Sequence, residues 1–451
     1  MDKSTSKYKA GSRIRGRLRA ERLPLAKRES LFPLFLLLAY LFFEYARPQV
    51  LLPFLSYIHL PAITIVLLGI SILFSGNVRI RDKQTIIFLV LLGLMVIHGP
   101  IAVNNYWALM TFIAMSMNLI VLLSLVHFVD DPGKYDRLVK FWLGIHIFLA
   151  IVGIVKKGTG IGGFLGDEND FCMTLNMIIP FSFFLAVSAE KGKKPWFILL
   201  ICLFLFVIIL TESRGGFVGL SATFIYCLFR TKRKALAALF VGILAIFAVL
   251  VAPQTYWNEV RSITEEGTRS GTGEERIYTW KIGWHMFLDN PVIGVGQGNF
   301  PYEFRKYEIE AGFAEEGYHG RSVAGRAAHS IYFTMLPELG LIGTFLFIAL
   351  VISNIKDLNR IKTISLNEMK GEGDGAGKFY YLALALEGSL ISFLVSGAFI
   401  SILYYPNFWV LMGFIISLKS IVMGRVNQVP TLLPSRHKQK RVVRKFGPSN
   451  R

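Results

Sequence analysis

Apolar residues in this chain come in long runs separated by short polar breaks. The runs span roughly 17–24 residues with few charges, enough to cross a hydrocarbon core of about 30 Å. Twelve of them fall near 31–45, 51–74, 85–101, 107–127, 138–155, 171–189, 195–211, 215–230, 234–252, 329–353, 379–398 and 402–423. This pattern predicts an all-α polytopic membrane protein of about twelve transmembrane helices, with one large loop between the ninth and the tenth. The loop is expected to be partly helical. Thr272-Gly273-Glu274-Glu275 reads as a capping box, and Ile277, Trp280, Trp284 and Phe287 follow at helical spacing. A helix from Arg276 to about Leu288 is predicted, ended by Asp289-Asn290-Pro291. The chain then divides into a tail (1–30), helices 1–9 (31–252), the loop (253–328), helices 10–12 (329–423) and a second tail (424–451).

Composition supports the membrane class. Of 451 residues, 53% are hydrophobic and 18% charged, against about 25% charged in soluble domains. A soluble enzyme, a disordered chain and a disulfide scaffold are excluded. Cys172, Cys202 and Cys227 all lie in apolar runs and read as small buried hydrophobes, with no zinc spacing. The net charge of +19 would point to nucleic acid in a soluble protein. Its distribution argues otherwise, and no nucleic-acid partner is expected. With the N-terminus in the cytoplasm, 37 of the 49 Lys and Arg residues fall in cytoplasmic segments. The short outer loops carry four, Arg47, Lys156, Lys157 and Arg214, so the positive-inside rule sets the orientation. Both termini are expected inside, with loop 253–328 in the periplasm. The first thirty residues lack an apolar h-region, so the first run reads as a retained helix. Residues 371–375 form a Gly-rich cytoplasmic linker, and the basic C-terminal tail reads as a solvated segment near anionic lipid.

Ionisable groups are costly at membrane depth, so they mark candidate sites. Three groups map to the outer face. In Thr211-Glu212-Ser213-Arg214-Gly215-Gly216, the next helix starts facing outward, and its free N–H groups favour an anion. Gly215 and Gly216 would let a ligand approach the backbone, and Arg214 adds a planar fork suited to phosphate. The alternative is a tight turn whose Arg pairs with Glu212. Arg276 sits in the first turn of the loop helix, where the dipole disfavours a cation, which suggests an anionic partner. The alternative is a surface Arg beside Glu274 and Glu275. His329 opens the tenth span and can take a proton from a hydroxyl, or it can be a capping histidine. Glu338, nine residues on, is expected to be paired inside the bundle. Gly294-Val295-Gly296-Gln297-Gly298-Asn299 follows a helix and a Pro, so it reads as a loop turn and fails the dinucleotide context. Asp167-Glu168-Asn169-Asp170 could hold a divalent metal or simply cap the sixth span.

Arg214, Arg276 and His329 are far apart in sequence yet share one face. Two guanidiniums and a helix N-terminus suit a pyrophosphate, and a histidine beside them suits deprotonation of an attacking hydroxyl. The implied chemistry is transfer of a group from a lipid diphosphate to an alcohol.

At these residues the chain resembles the O-antigen ligase and O-antigen polymerase superfamily of bacterial membrane proteins. The matching motifs are Gly166-Asp167-Glu168-Asn169-Asp170, Ser213-Arg214-Gly215-Gly216 and Arg276 with Trp280. They continue through Asn290-Pro291-Val292-Ile293-Gly294-Val295-Gly296 with Asn299-Phe300, then His329-Ser330-Ile331-Tyr332 and Glu338-Leu339-Gly340-Leu341-Ile342-Gly343. The family often has Asn after the histidine, where this chain has Ser330. The resemblance implies a cofactor-free, metal-independent glycosyltransferase of the bacterial inner membrane. Its donor would be a glycan on undecaprenyl pyrophosphate, and its acceptor a lipid, protein or glycan. Carried over, Arg214 and Arg276 would hold the pyrophosphate and His329 would activate the acceptor. Gly215, Gly216, Trp280, Asn169 and Glu338 would complete the substrate site. Ligase and polymerase share this chemistry. A polysaccharide or lipid transporter is the rival from another class, but it would favour inverted repeats and midplane polar groups.

Overall fold

The computed structural model of the chain describes residues 31–76, 80–231, 272–312, 325–370 and 376–428, together with residues 234 and 242. Apart from those two residues, the predicted ninth span lies outside the described residues. So do the N-terminal tail, most of the C-terminal tail and the linker at 371–375.

Among the described residues the fold is helical, and nine helices are long and apolar enough to cross a membrane by length and composition. The chain is a multi-pass membrane protein. In chain order the helices are α1 (Phe32–Tyr45), α2 (Leu60–Phe74), α3 (Lys83–Ile101), α4 (Asn105–Phe128), α5 (Pro132–Val155), α6 (Glu168–Ser188), α7 (Lys194–Leu210) and α8 (Arg214–Arg230). They continue with α9 (Thr272–Asp289), α10 (Phe300–Glu310), α11 (Ile331–Lys370), α12 (Ala376–Ser396) and α13 (Pro406–Gln428). Each predicted span within the described residues has its helix. The largest difference is α11, which continues to Lys370, well past the apolar run that ends near 353. Leaving the apolar layer does not end a helix, and no Gly or Pro interrupts residues 344–370.

α6 and α12 form the centre of the bundle, with α8 and α7 against α6 and α11 against α12. Glycines let α8 come close. A Cβ on Gly216 would lie 2.1 Å from Cys172 Sγ on α6, and one on Gly219 would lie 2.0 Å from Ser396 Oγ on α12. Asn176 Nδ2 donates to the Gly216 carbonyl at 2.9 Å across the same contact. Small residues at helix crossings are what packing in lipid selects. Replacing Gly216 with Ala should cost about 1–3 kcal/mol through overpacking. The thermal midpoint in detergent should fall, and adding Cys172→Ala should restore part of it. An unchanged midpoint in the single variant would refute this packing account.

At the opposite end from Arg214, ion pairs tie the helices together. Glu387 of α12 accepts from Tyr226 Oη at 2.6 Å, from Lys362 Nζ at 2.7 Å and from Arg230 Nη2 at 2.8 Å. Lys419 reaches Asp82 at 2.7 Å and Asp357 at 2.8 Å.

α11 is broken at Gly340, whose φ of 61° and ψ of −163° no side chain would favour. In a continuous helix the N–H groups of Leu341 and Ile342 would donate to the carbonyls of Pro337 and Glu338. Here segment 291–296 takes both sets. Val295 N donates to the Pro337 carbonyl at 2.8 Å, and Gly296 N to that of Glu338 at 3.0 Å. Leu341 N donates to the Pro291 carbonyl at 2.8 Å, and Ile342 N to that of Val292 at 3.1 Å. The contact is close enough that a Cβ on Gly294 would meet the Glu338 carbonyl carbon at 2.5 Å. Two motifs distant in sequence are therefore one device, in which a loop satisfies a helix break.

Candidate active site

The site is built where four chain segments meet. The first is the start of α6. Asp167 caps it, with Oδ1 accepting from Asn169 N at 2.8 Å and from Asp170 N at 3.4 Å. This is the capping role the sequence allowed. The second is the turn between α7 and α8, tight enough that Glu212 adopts φ 51°. Ser213 caps α8, its Oγ accepting from Gly216 N at 2.9 Å. The same Oγ donates to Asn169 Oδ1 at 2.6 Å, so the two caps brace each other. Arg214 is the first residue of α8 and is half-buried.

The third segment is α9, which begins at Thr272. The sequence placed Arg276 in the first turn of this helix. It stands one turn further in, so the dipole is not what disfavours its charge. Instead, partial burial and then the nearby Arg214 guanidinium hold its pKa below the ordinary value, with Asp167 and Glu275 opposing. Two half-buried guanidiniums that repel each other concentrate positive charge at this end of the bundle.

The fourth is the turn into α11. His329 has φ 47°, a left-handed conformation that is uncommon outside glycine and costs about 1–3 kcal/mol. Ser330 is buried and caps α11, its Oγ accepting from Phe333 N at 3.5 Å and its carbonyl from Thr334 N at 2.9 Å. The His329 side chain is exposed. Even so, desolvation by the surrounding protein, and after it the Arg276 charge, lower its pKa, while Asp167 raises it. Arg276 is thus within electrostatic reach of Arg214, Asp167 and His329, and Asp167 is within reach of His329.

Other expected substrate contacts have different work. Trp280 donates from Nε1 to the Ala328 carbonyl at 2.8 Å and stacks on Phe333 with centroids 4.8 Å apart. It clamps α9 to the segment that presents His329, placing Arg276 and His329 together. Gly215 and Gly216 are buried and serve helix packing, with Phe399 3.1 Å from a Cβ on Gly215. They do not open the backbone to a ligand. Glu338 is 2% exposed and fully engaged. Its carboxylate accepts from Gly298 N at 2.8 Å, from Phe300 N at 2.9 Å and from Tyr404 Oη at 2.6 Å. It caps α10 and holds the loop to the bundle, as the pairing argument expected, and it is not a ligand contact. Asn169 meets Ser213, its Oδ1 accepting from the Ser213 hydroxyl.

One residue escaped the sequence reading. Tyr405, just before α13, packs at a tilt of 56° against Phe164, with ring centroids 5.6 Å apart. Its hydroxyl is kept protonated by burial first, then by Asp170 and Asp167. The available signal was the aromatic pair Tyr404-Tyr405 directly before Pro406 at a helix start. Arg47 also reaches this end of the bundle, lying over the Phe164 ring with 5.4 Å to its centroid and donating from Nε to the Glu44 carbonyl at 3.2 Å.

The segment carrying Arg214, Arg276, His329 and the broken α11 is also the one that matches a known family model, that of the O-antigen ligases, over residues 198–348. The match covers about a third of the chain. A relative supports the superfamily placement. The chain is 26% identical over 229 residues to the teichuronic acid biosynthesis protein TuaE of Bacillus subtilis (strain 168), covering 43% of this chain and 46% of that protein. The chain thus matches just under half the length of this curated relative. The matched segment takes in most of α7, then α8, α9 and α10, and the first part of α11. Asp167, Asn169 and Tyr405 complete the site from outside it.

Proposed function

We propose that the protein is a glycosyltransferase that moves a glycan from undecaprenyl pyrophosphate to an acceptor hydroxyl, in surface polysaccharide or glycoconjugate assembly. The observation that carries this reading is that Arg276 lies within electrostatic reach of Arg214, Asp167 and His329 at one end of the bundle. The positive-inside distribution supports a periplasmic position for that end in a bacterial inner membrane, with both termini cytoplasmic.

The acceptor O–H attacks the anomeric carbon of the donor sugar. The C–O bond to the diphosphate breaks, and the lipid diphosphate leaves with the bonding pair. The acceptor proton passes to His329. A lowered pKa keeps the imidazole neutral and ready to accept it at neutral pH. Asp167 stabilises the imidazolium that forms. Negative charge grows on the leaving diphosphate, where Arg214 and Arg276 stabilise it. The guanidiniums do the work a divalent cation does elsewhere. A glycan acceptor, making the protein a polymerase, uses the same steps, and the relative named for teichuronic acid biosynthesis favours a polysaccharide product.

The test is transfer by purified protein in nanodiscs, from lipid-diphosphate glycan isolated from the producing cells to their own acceptor fraction. Lipid diphosphate should be released in step with glycan transfer, and EDTA should leave the rate unchanged. Loss of transfer on chelation, restored by magnesium or manganese, would move the charge stabilisation from the arginines to a metal.

A further inference from the structure

The far end of α9 holds a cavity that the reaction above does not use. It measures about 260 Å³ and lies between the 290–295 segment, the end of α3 and α10. One water occupies roughly 10–15 Å³ on this measure, so the cavity has room for a ligand the size of a sugar ring. Its walls are preformed. The 291–296 segment is laced into the α11 break by four backbone hydrogen bonds. His98 pins the same segment, with Nδ1 2.7 Å from Gln297 Oε1 and Nε2 2.8 Å from the Ile293 carbonyl.

Glu303, on α10, lines this cavity and is 7% exposed. Among the described residues its carboxylate accepts no hydrogen bond, and its charge acts on Lys306 three residues further along α10. A carboxylate on a cavity wall with no hydrogen-bond donor can accept one from a ligand hydroxyl. Lys306 is on the same wall, with Nζ over the Tyr307 ring, 4.8 Å from its centroid. Tyr307 Oη accepts from Asn290 Nδ2 at 2.6 Å, which leaves the Tyr307 O–H free to donate. Val292 and Ile101 supply an apolar side.

An anion would be repelled by Glu303, and a cation by Lys306. A neutral ligand that both donates and accepts, with an apolar C–H face, satisfies every wall. We propose that this cavity binds a saccharide unit of the glycan, through hydroxyls donated to Glu303 and accepted from Lys306. The proposal rests on the glycosyltransferase reading for the source of the sugar. Asn290 lies fourteen residues from Arg276, about 20 Å along α9 at about 1.5 Å per residue. The unit held is therefore distant from the reacting bond, a second handhold on a long chain.

The probe is the oligosaccharide released by mild acid from the lipid-linked glycan of the producing cells, titrated onto the full-length protein in nanodiscs. Wild type should bind it, and Glu303→Gln should weaken binding about tenfold or more by removing a charge-assisted acceptor. Lys306→Ala should weaken it too, so the result does not depend on one variant folding. Arg276→Ala should leave oligosaccharide binding intact, which separates this site from the reaction centre. In transfer assays, Glu303→Gln should raise KM for a long glycan but not for a donor carrying a single sugar. A rise confined to the donor or to the acceptor identifies which chain occupies the cavity. Absence of oligosaccharide binding by the wild type overturns the proposal. So does affinity in Glu303→Gln within twofold of wild type, or binding that follows the phosphatidylethanolamine content of the nanodisc instead of the sugar.

Discussion

Replacing His329 with Ala should cut glycan transfer by about 10²–10⁴-fold, the contribution typical of a positioned general base. Binding of the lipid-diphosphate glycan should be nearly unchanged, because the anion-holding groups remain. The pH dependence gives an independent check. The base acts in its neutral form, and its pKa is lowered from the ordinary value of about 6.5. Turnover should therefore hold as the pH falls past 6.5 and drop only as it passes through the depressed pKa, and the His329→Ala variant should lack that acid limb. The measurements are donor binding and kcat across pH for both proteins, with membrane insertion verified. Near-normal transfer by a folded His329→Ala protein would reduce the histidine to a turn residue.

Arg276→Ala should weaken donor binding and turnover together, on the order of 10²-fold or more, since charge-assisted hydrogen bonds contribute about 1.5–3 kcal/mol each and a guanidinium can make two to a diphosphate. A second effect follows from its neighbours. Arg276 helps to depress the pKa of His329, so its removal should shift the acid limb of the residual activity toward higher pH. Arg276→Lys retains the charge and should leave the limb in place. It should still lose transfer, because the planar fork is gone. A limb that moves equally in both variants would mean that Arg276 does not act on His329 through its charge.

The broad architecture was legible because lipid imposes one rule on the whole chain. Every backbone group in the apolar layer must be paired, so long apolar runs must be helices, and their ends follow from where the runs stop. The caps were legible for a local reason. Asp167 lies just before its helix, within reach of the first free N–H groups. Arg214, Arg276 and His329 could be grouped on one face from topology alone.

What each residue touches could not be read the same way. Gly215 and Gly216 look identical whether they admit a ligand or a neighbouring helix, and only the position of Cys172 and Phe399 decides for packing. Trp280 reads as a site aromatic until the Ala328 carbonyl takes its N–H. Glu338 and the Gly340 break make sense only with segment 291–296 inserted between them.

The sequence by itself determined the membrane class, the helices and their order, and the face on which charge could gather, because these depend on periodicity and on the cost of burying polar groups. The tertiary structure decided which charges face one another, that Arg276 is unsettled by Arg214 and not by its own helix, and that Glu303 is left facing a cavity. Such facts depend on distances between residues far apart in the chain, and electrostatic and packing energies change steeply over those few ångströms.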